Sequence, residues 1–189
     1  AGVYSRLLGK YTNESLKTSL SKILQNDIDE NMVKGFDEVE KNYQNVVFDF
    51  RGGLNIEEIE QNIIQTEERY GRKVRVMILD YLEKIVSPFQ DPTAGASFVA
   101  GRLADLAKKH QLCLICLVQP QKSAGDPREP ILSYRSIKGS SRIEQDSRLV
   151  FSVWRPGFDP RDNSSDSYIS ISILKNNSGP CGQYDFKWD

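Results

Sequence analysis

Apolar residues recur at helical spacing in the first part of the chain. Leu16, Leu20, Ile23 and Leu24 form one stripe, and Asn13 stands where it can cap that helix. Met32, Phe36, Val39 and Tyr43 form a second stripe and predict a helix near Glu30–Tyr43. Val46–Phe50 (VVFDF) reads as a short strand broken by Arg51-Gly52-Gly53. Asn55 followed three residues later by Glu58 has the form of a capping box. It opens a helix that turns Ile56, Ile59 and Ile63 inward and ends near Gly71.

The pattern then alternates. Val74–Leu79 (VRVMIL) predicts a strand ending at Asp80, Ser87–Gly95 a loop, and Ala96–His110 a helix with Val99, Leu103, Leu106 and Ala107 on one face. Leu112–Val118 predicts a second apolar strand ending at Gln119, followed by a polar, proline-bearing loop through Ser133. Leu149–Trp154 predicts a third strand of this set, Arg155–Ser167 a loop, and Tyr168–Leu174 an alternating strand. A turn over Asn176–Gly182 then leads to a final strand, Gln183–Trp188. Near-continuous apolar strands separated by a helix imply a parallel sheet covered on both faces, so the fold class is α/β. The last two strands, joined by a Gly-Pro turn, are expected to be antiparallel. There are no internal repeats, low-complexity tracts or clear linkers.

Composition narrows the function classes. A chain of 189 residues holds one domain with a real core and is too short for two full ones. Lys plus Arg number 25 against 26 Asp plus Glu, a net charge of −1 that excludes a globally basic nucleic-acid coat and a polyacidic tail. No apolar run approaches the ~20 residues of a membrane span, and Ala1–Arg6 lacks the apolar core of a signal peptide. The cysteines are Cys113, Cys116 and Cys181, an odd count that argues for a reducing compartment. Cys113 and Cys116 form a C-x-x-C inside a strand. Residues three apart on a strand point to opposite faces, so the pair is expected to be two core cysteines rather than metal ligands. His110, the single histidine, ends a helical segment and suits a surface or capping role. One histidine and no clustered cysteines argue against a zinc site or a Ser-His-Asp triad.

In open α/β sheets ligands bind beyond the carboxyl ends of the strands. Asp80 and Gln119 stand at two such ends. An aspartate after a buried strand can hold Mg²⁺ through a water, and it can equally cap a helix. A glutamine there can sense a γ-phosphate or simply enter a loop. Ile131–Arg142 carries Arg135, Lys138 and Arg142 and no acid, with Gly139-Ser140-Ser141 inside it. Small residues with free N–H groups beside cations suit phosphate contact, and also suit an ordinary solvated loop.

Four stretches in this order resemble the DnaB-type replicative helicases, which share the RecA fold. Ile78-Leu79-Asp80-Tyr81-Leu82 is similar to their Walker B strand, and Leu117-Val118-Gln119 to a motif ending in glutamine. Ile137–Asp146 (IKGSSRIEQD) is the most specific match, with Ile143–Asp146 agreeing with the family's I-E-Q-D. Lys175 with Gly179-Pro180-x-Gly182 is similar to the family's late Lys-x-Arg finger and Gly-Pro turn. The likeness extends over roughly Tyr4–Phe186.

The resemblance implies a RecA-like, mainly parallel sheet flanked by helices with an antiparallel pair at the C-terminal end. Residues 1–189 would be a single partial domain, with 1–45 a helical lead-in and 46–189 the sheet core. It implies an ATP-driven helicase moving on single-stranded DNA as a ring, of hexamer type, from a phage or bacterium. It also implies ATP and Mg²⁺ as cofactors, a primase or helicase loader as a possible partner, no membrane, and a cytoplasmic site. By position, Asp80, Gln119 and Lys175 match the family's catalytic residues, with Asp80 the metal carboxylate and Asp80 and Gln119 facing the nucleotide. Lys138, Gly139, Ser141 and Arg142 match its DNA-contacting loop. The sequence departs from the family in three places. It contains no G-x-x-x-x-G-K-(S/T), the family's finger arginine falls on Asn177, and Gly139 replaces an acid. The expected strand and phosphate loop at the start of the fold are therefore absent, and this chain alone is expected to hydrolyse no ATP. The alternative reading is a non-catalytic RecA-like binding or assembly module.

Overall fold

A computed structural model describes residues 2–119, 140–155 and 168–187. The chain divides into two compact units, Ala1–Phe50 and Arg51–Asp189.

The first unit is helical: α1 (Gly2–Thr12), α2 (Leu16–Gln25) and α3 (Glu30–Tyr43). Leu8, Met32 and Val39 form its buried centre, with Leu7, Tyr11, Ile23, Phe36 and Tyr43 packed around them. The helices meet closely at Gly35, where a Cβ would lie 2.7 Å from Thr12 Cγ2, so glycine is required by the approach of α1. Ser15 caps α2, its hydroxyl accepting from Thr18 N–H at 3.2 Å. Asn13, expected as that cap, instead takes a left-handed conformation (φ 59°) just after α1, a turn role that asparagine tolerates. Asp29 caps α3 by accepting from Met32 N–H at 2.8 Å. Asp29 also accepts from Lys22, which bridges to Glu14 as well, both at 2.6 Å. That bridge raises the Lys22 ammonium above its ordinary range, Asp29 first and Glu14 second, and holds the Asp29 carboxyl below its own. The strand expected over Val46–Phe50 does not form. Val46, Val47 and Phe50 are exposed, no strand pairs with them among the described residues, and the Phe48 and Phe50 rings stack on each other at 5.9 Å.

In the second unit α4 (Ile56–Tyr70) begins at the expected capping box. Asn55 Oδ1 accepts from Glu58 N–H at 2.9 Å, and Glu58 Oε2 accepts from Asn55 N–H at 2.8 Å. Gly71 closes the helix at φ +61°, a conformation glycine adopts without strain. β1 (Val76–Leu79), a 3₁₀ turn (Leu82–Lys84), α5 (Pro92–His110) and β2 (Cys113–Cys116) follow. α5 starts earlier than its apolar stripe, because Asp91 accepts from Ala94 N–H at 2.6 Å and Pro92 suits the first helical position. β1 and β2 pair in parallel, with Val76 opposite Cys113 and Leu79 opposite Cys116.

α6 (Ser140–Asp146), β3 (Leu149–Trp154), β4 (Tyr168–Asn176) and β5 (Gly182–Lys187) complete the chain. α6 lies where a loop is expected through Arg142; the stretch is short and polar, so its apolar spacing carries no helical signal. β4 and β5 are antiparallel, as the Gly-Pro turn predicts. β3, expected beside the parallel strands, runs antiparallel to β4 with a bulge between Val150 and Phe151, in a ladder separate from β1–β2. Apolar content alone does not separate a parallel strand from an antiparallel one. The core gathers Ile56, Ile59 and Ile63 of α4, Val99, Leu103 and Leu106 of α5, and Leu82, Leu112, Ile143 and Val150. Among the described residues no helix is long and apolar enough to cross a membrane.

Candidate functional site

The parallel register fixes one polar edge. Because Leu79 lies opposite Cys116, the segments leaving β1 and β2 run side by side from the same, carboxyl end. Leu117 N–H donates to the Leu79 carbonyl at 3.0 Å, and Leu82 N–H donates to the Leu117 carbonyl at 2.9 Å. Asp80 leaves β1 between those two bonds and is exposed, with a cis peptide to Tyr81. Gln119 leaves β2 on the same side and is also exposed; its N–H donates to Glu83 Oε1 at 3.2 Å. The two residues that sequence reasoning chose for a nucleotide edge therefore stand at the ends of adjacent strands.

Glu83 was not singled out from the sequence. Its signal is an acid three residues past Asp80, in a turn that folds back over β2. It also acts on the thiol beneath it: burial first, and the Glu83 charge second, push Cys116 up to about 12, so this cysteine stays a protonated, inert thiol. Cys116 is half-buried and Cys113 is exposed. The expectation of two core cysteines fails for Cys113, because the face of β1–β2 that carries it, with Val76, Ile78 and Ile115, is uncovered among the described residues.

The remaining site residues gather around α6. The Lys175 ammonium on β4 donates to the Glu144 carbonyl near the end of α6, a position where a cation complements the exposed carbonyls of a helix terminus. Arg142 Nε donates to Asp146 Oδ2 at 2.6 Å, and its guanidinium lies over Gly101 of α5, 3.2 Å from where a Cβ would be. Ser141 belongs to α6, and nothing is described of its side chain. Lys138, Gly139 and Arg135 lie outside the described residues. Asn177, at the family's finger position, donates its backbone N–H to the Arg148 carbonyl at 3.0 Å. His110 ends α5 and pairs with Glu60 at 2.7 Å, a link between α4 and α5 far from the strand edge.

The chemistry of this edge fits part of a magnesium–nucleotide. Asp80 offers hard carboxylate oxygens, and Gln119 a neutral amide that can donate and accept. Among the described residues no group of three or more His, Cys, Asp or Glu side chains gathers to hold a metal ion. A phosphate cradle needs a run of backbone N–H groups and a lysine. The sequence holds no such glycine-rich loop, so the residues present fit the metal side of the group and not its phosphate side.

The model of the family described as DnaB-like helicase C-terminal domain matches residues 3–189. One similar solved structure is of a DnaB-like replicative helicase and its interactions with primase, at TM-score 0.73 and 19% identity over 96% of this chain. Another is of an ATPase domain, at TM-score 0.76 and 18% identity, also over 96% of this chain. The chain spans 44% of the first and 65% of the second. At these identities the likeness is one of fold, and it supports the RecA-like α/β architecture. No match among curated proteins is found. The family match runs through the strand edge that bears Asp80 and Gln119 and through α6, and the chain belongs to the DnaB-like helicase C-terminal domain family.

Proposed function

We infer that this chain is part of an ATP-dependent replicative DNA helicase that moves on single-stranded DNA as a ring, and that it supplies the metal-side edge of the nucleotide site. The observation that carries this reading is the placement of Asp80 and Gln119 at the carboxyl ends of adjacent parallel strands, in a chain of this family. Both units would belong to one partial RecA-like domain, residues 1–45 a helical lead-in and 46–189 the sheet core. Asp80 would hold Mg²⁺ through a water, and Gln119 would face the γ-phosphate. Bound magnesium–ATP would supply the phosphoryl group whose loss drives movement. Lys175, two residues before Asn177, would keep the lysine of the finger motif without its arginine.

On the DNA side, Lys138 would contribute a charge, Gly139 and Ser141 backbone N–H groups, and Arg142 a supporting contact. Phosphates carry no base identity, so such a loop tracks any sequence. Ring assembly, of hexamer type, would present several loops at once and convert weak contacts into avidity. A primase or helicase loader is the expected protein partner, and the bacterial cytoplasm the expected location. Asn177 favours a second reading, a non-catalytic assembly module, since an uncharged amide cannot stabilise a neighbour's transferring phosphate as arginine does.

The test uses Mn²⁺ with ATP on the ¹⁵N-labelled chain, because a paramagnetic ion broadens nearby amide signals even at low occupancy. The signals of Asp80, Tyr81 and Gln119 are expected to broaden first, and Asp80→Asn to abolish this. Broadening centred elsewhere, or unchanged by Asp80→Asn, contradicts the reading.

A further inference from the structure

We propose that Glu83 is a positioning residue, which holds the backbone of Gln119 at the strand edge and thereby ties the Gln119 segment to the Asp80 segment. The proposal rests on the reading of Asp80 and Gln119 given above. Among the described residues three hydrogen bonds link the two segments. Two are between backbone groups, Leu117 N–H to the Leu79 carbonyl and Leu82 N–H to the Leu117 carbonyl, and they lock β2's exit only as far as residue 117. The third is Glu83 Oε1 accepting from Gln119 N–H at 3.2 Å, and it alone reaches the residue that would meet the phosphate.

Geometry makes the side chain suited to this. The 3₁₀ turn Leu82–Lys84 is anchored beneath by Leu82, which is 3% exposed, and is closed by Ile85 N–H on the Leu82 carbonyl at 3.1 Å. Glu83 therefore projects from a fixed base. An ionised carboxylate makes a stronger bond to an amide N–H than a neutral acceptor does. The charge of Glu83 on the Cys116 thiol is a second sign that its carboxylate lies over the end of β2. The consequence is mechanical: a shift of the Asp80 turn carries the Gln119 amide with it, and the reverse.

The experiment is residue-resolved amide exchange on the full chain, comparing Glu83→Ala, Glu83→Gln and Asp80→Asn with the wild type. In Glu83→Ala the Gln119 amide should exchange about tenfold faster, while those of Leu82 and Leu117 keep their wild-type rates. Glu83→Gln retains an acceptor oxygen at the same reach and should restore most of the protection. Asp80→Asn should leave it unchanged. An unchanged Gln119 rate in Glu83→Ala overturns the proposal. So does equal acceleration at Leu82 and Leu117, which would make Glu83 a general brace of the turn. Mn²⁺ with ATP separates this from the site reading. In Glu83→Ala, broadening should persist at Asp80 and fade at Gln119; broadening kept in full at Gln119 counts against positioning. If the wild type shows no broadening at Asp80, the nucleotide reading fails, and the exchange rates still decide whether Glu83 holds Gln119.

Discussion

Glu60 pairs with two side chains of the last turn of α5, Lys109 Nζ at 2.8 Å and His110 Nε2 at 2.7 Å. Lys109 first and His110 second hold its carboxyl below the usual carboxylate range. A depressed folded-state value means the link contributes stability at pH above the ordinary glutamate range, and loses it as pH falls through the lowered value. Melting temperature followed from neutral to strongly acid pH should therefore fall less steeply in Glu60→Gln than in the wild type. Equal slopes would show that the pair contributes nothing to folding. The sequence places His110 correctly at a helix end, yet its partner lies 50 residues away and no local pattern names it. The same limit hides Glu83, whose role depends on β2 lying beside β1. Asp80 and Gln119 were legible because each follows its own apolar run, a local signal.

Elements with a chemical start signal are the ones the sequence resolves best. The Asn55 and Glu58 spacing predicts the start of α4 to the residue, and Asn55→Ala should cost about 1 kcal/mol. For a chain of this length that is roughly 2–4 °C in melting temperature; an unchanged melt would mean water replaces the cap without loss. Where two capping residues stand close together, as Asn13 and Ser15 do, sequence does not choose; the left-handed turn after α1 takes Asn13 and leaves Ser15 to cap α2. VVFDF shows the converse, strand propensity without a partner strand. α6 escaped notice because its partners are tertiary: Ile143 enters the core, and Lys175 binds near its end. The residues before α6 carry the DNA proposal. In the assembled protein, Lys138→Ala should weaken single-stranded DNA alike for all sequences. It should also flatten the plot of log affinity against log salt by roughly 0.7, one counterion's worth. An unchanged slope would leave Lys138 as ordinary solvated surface.

At the scale of the whole molecule, the parallel pair β1–β2 and the antiparallel set β3–β4–β5 are separate ladders among the described residues. Parallel sheets are ordinarily covered on both faces, but Val76, Ile78, Ile115 and Leu117 remain 40–65% exposed here. On the proposed reading Asp80 is the metal carboxylate of a nucleotide site, and the 189 residues hold no glycine-rich loop to cradle the phosphates. The most direct measurement is steady-state ATP hydrolysis by the purified chain, alone and with a polypeptide bearing the family's phosphate loop. The account predicts no turnover by the chain alone, and turnover with the added polypeptide that Asp80→Ala abolishes. Turnover by the chain alone that is lost in Asp80→Ala would contradict it.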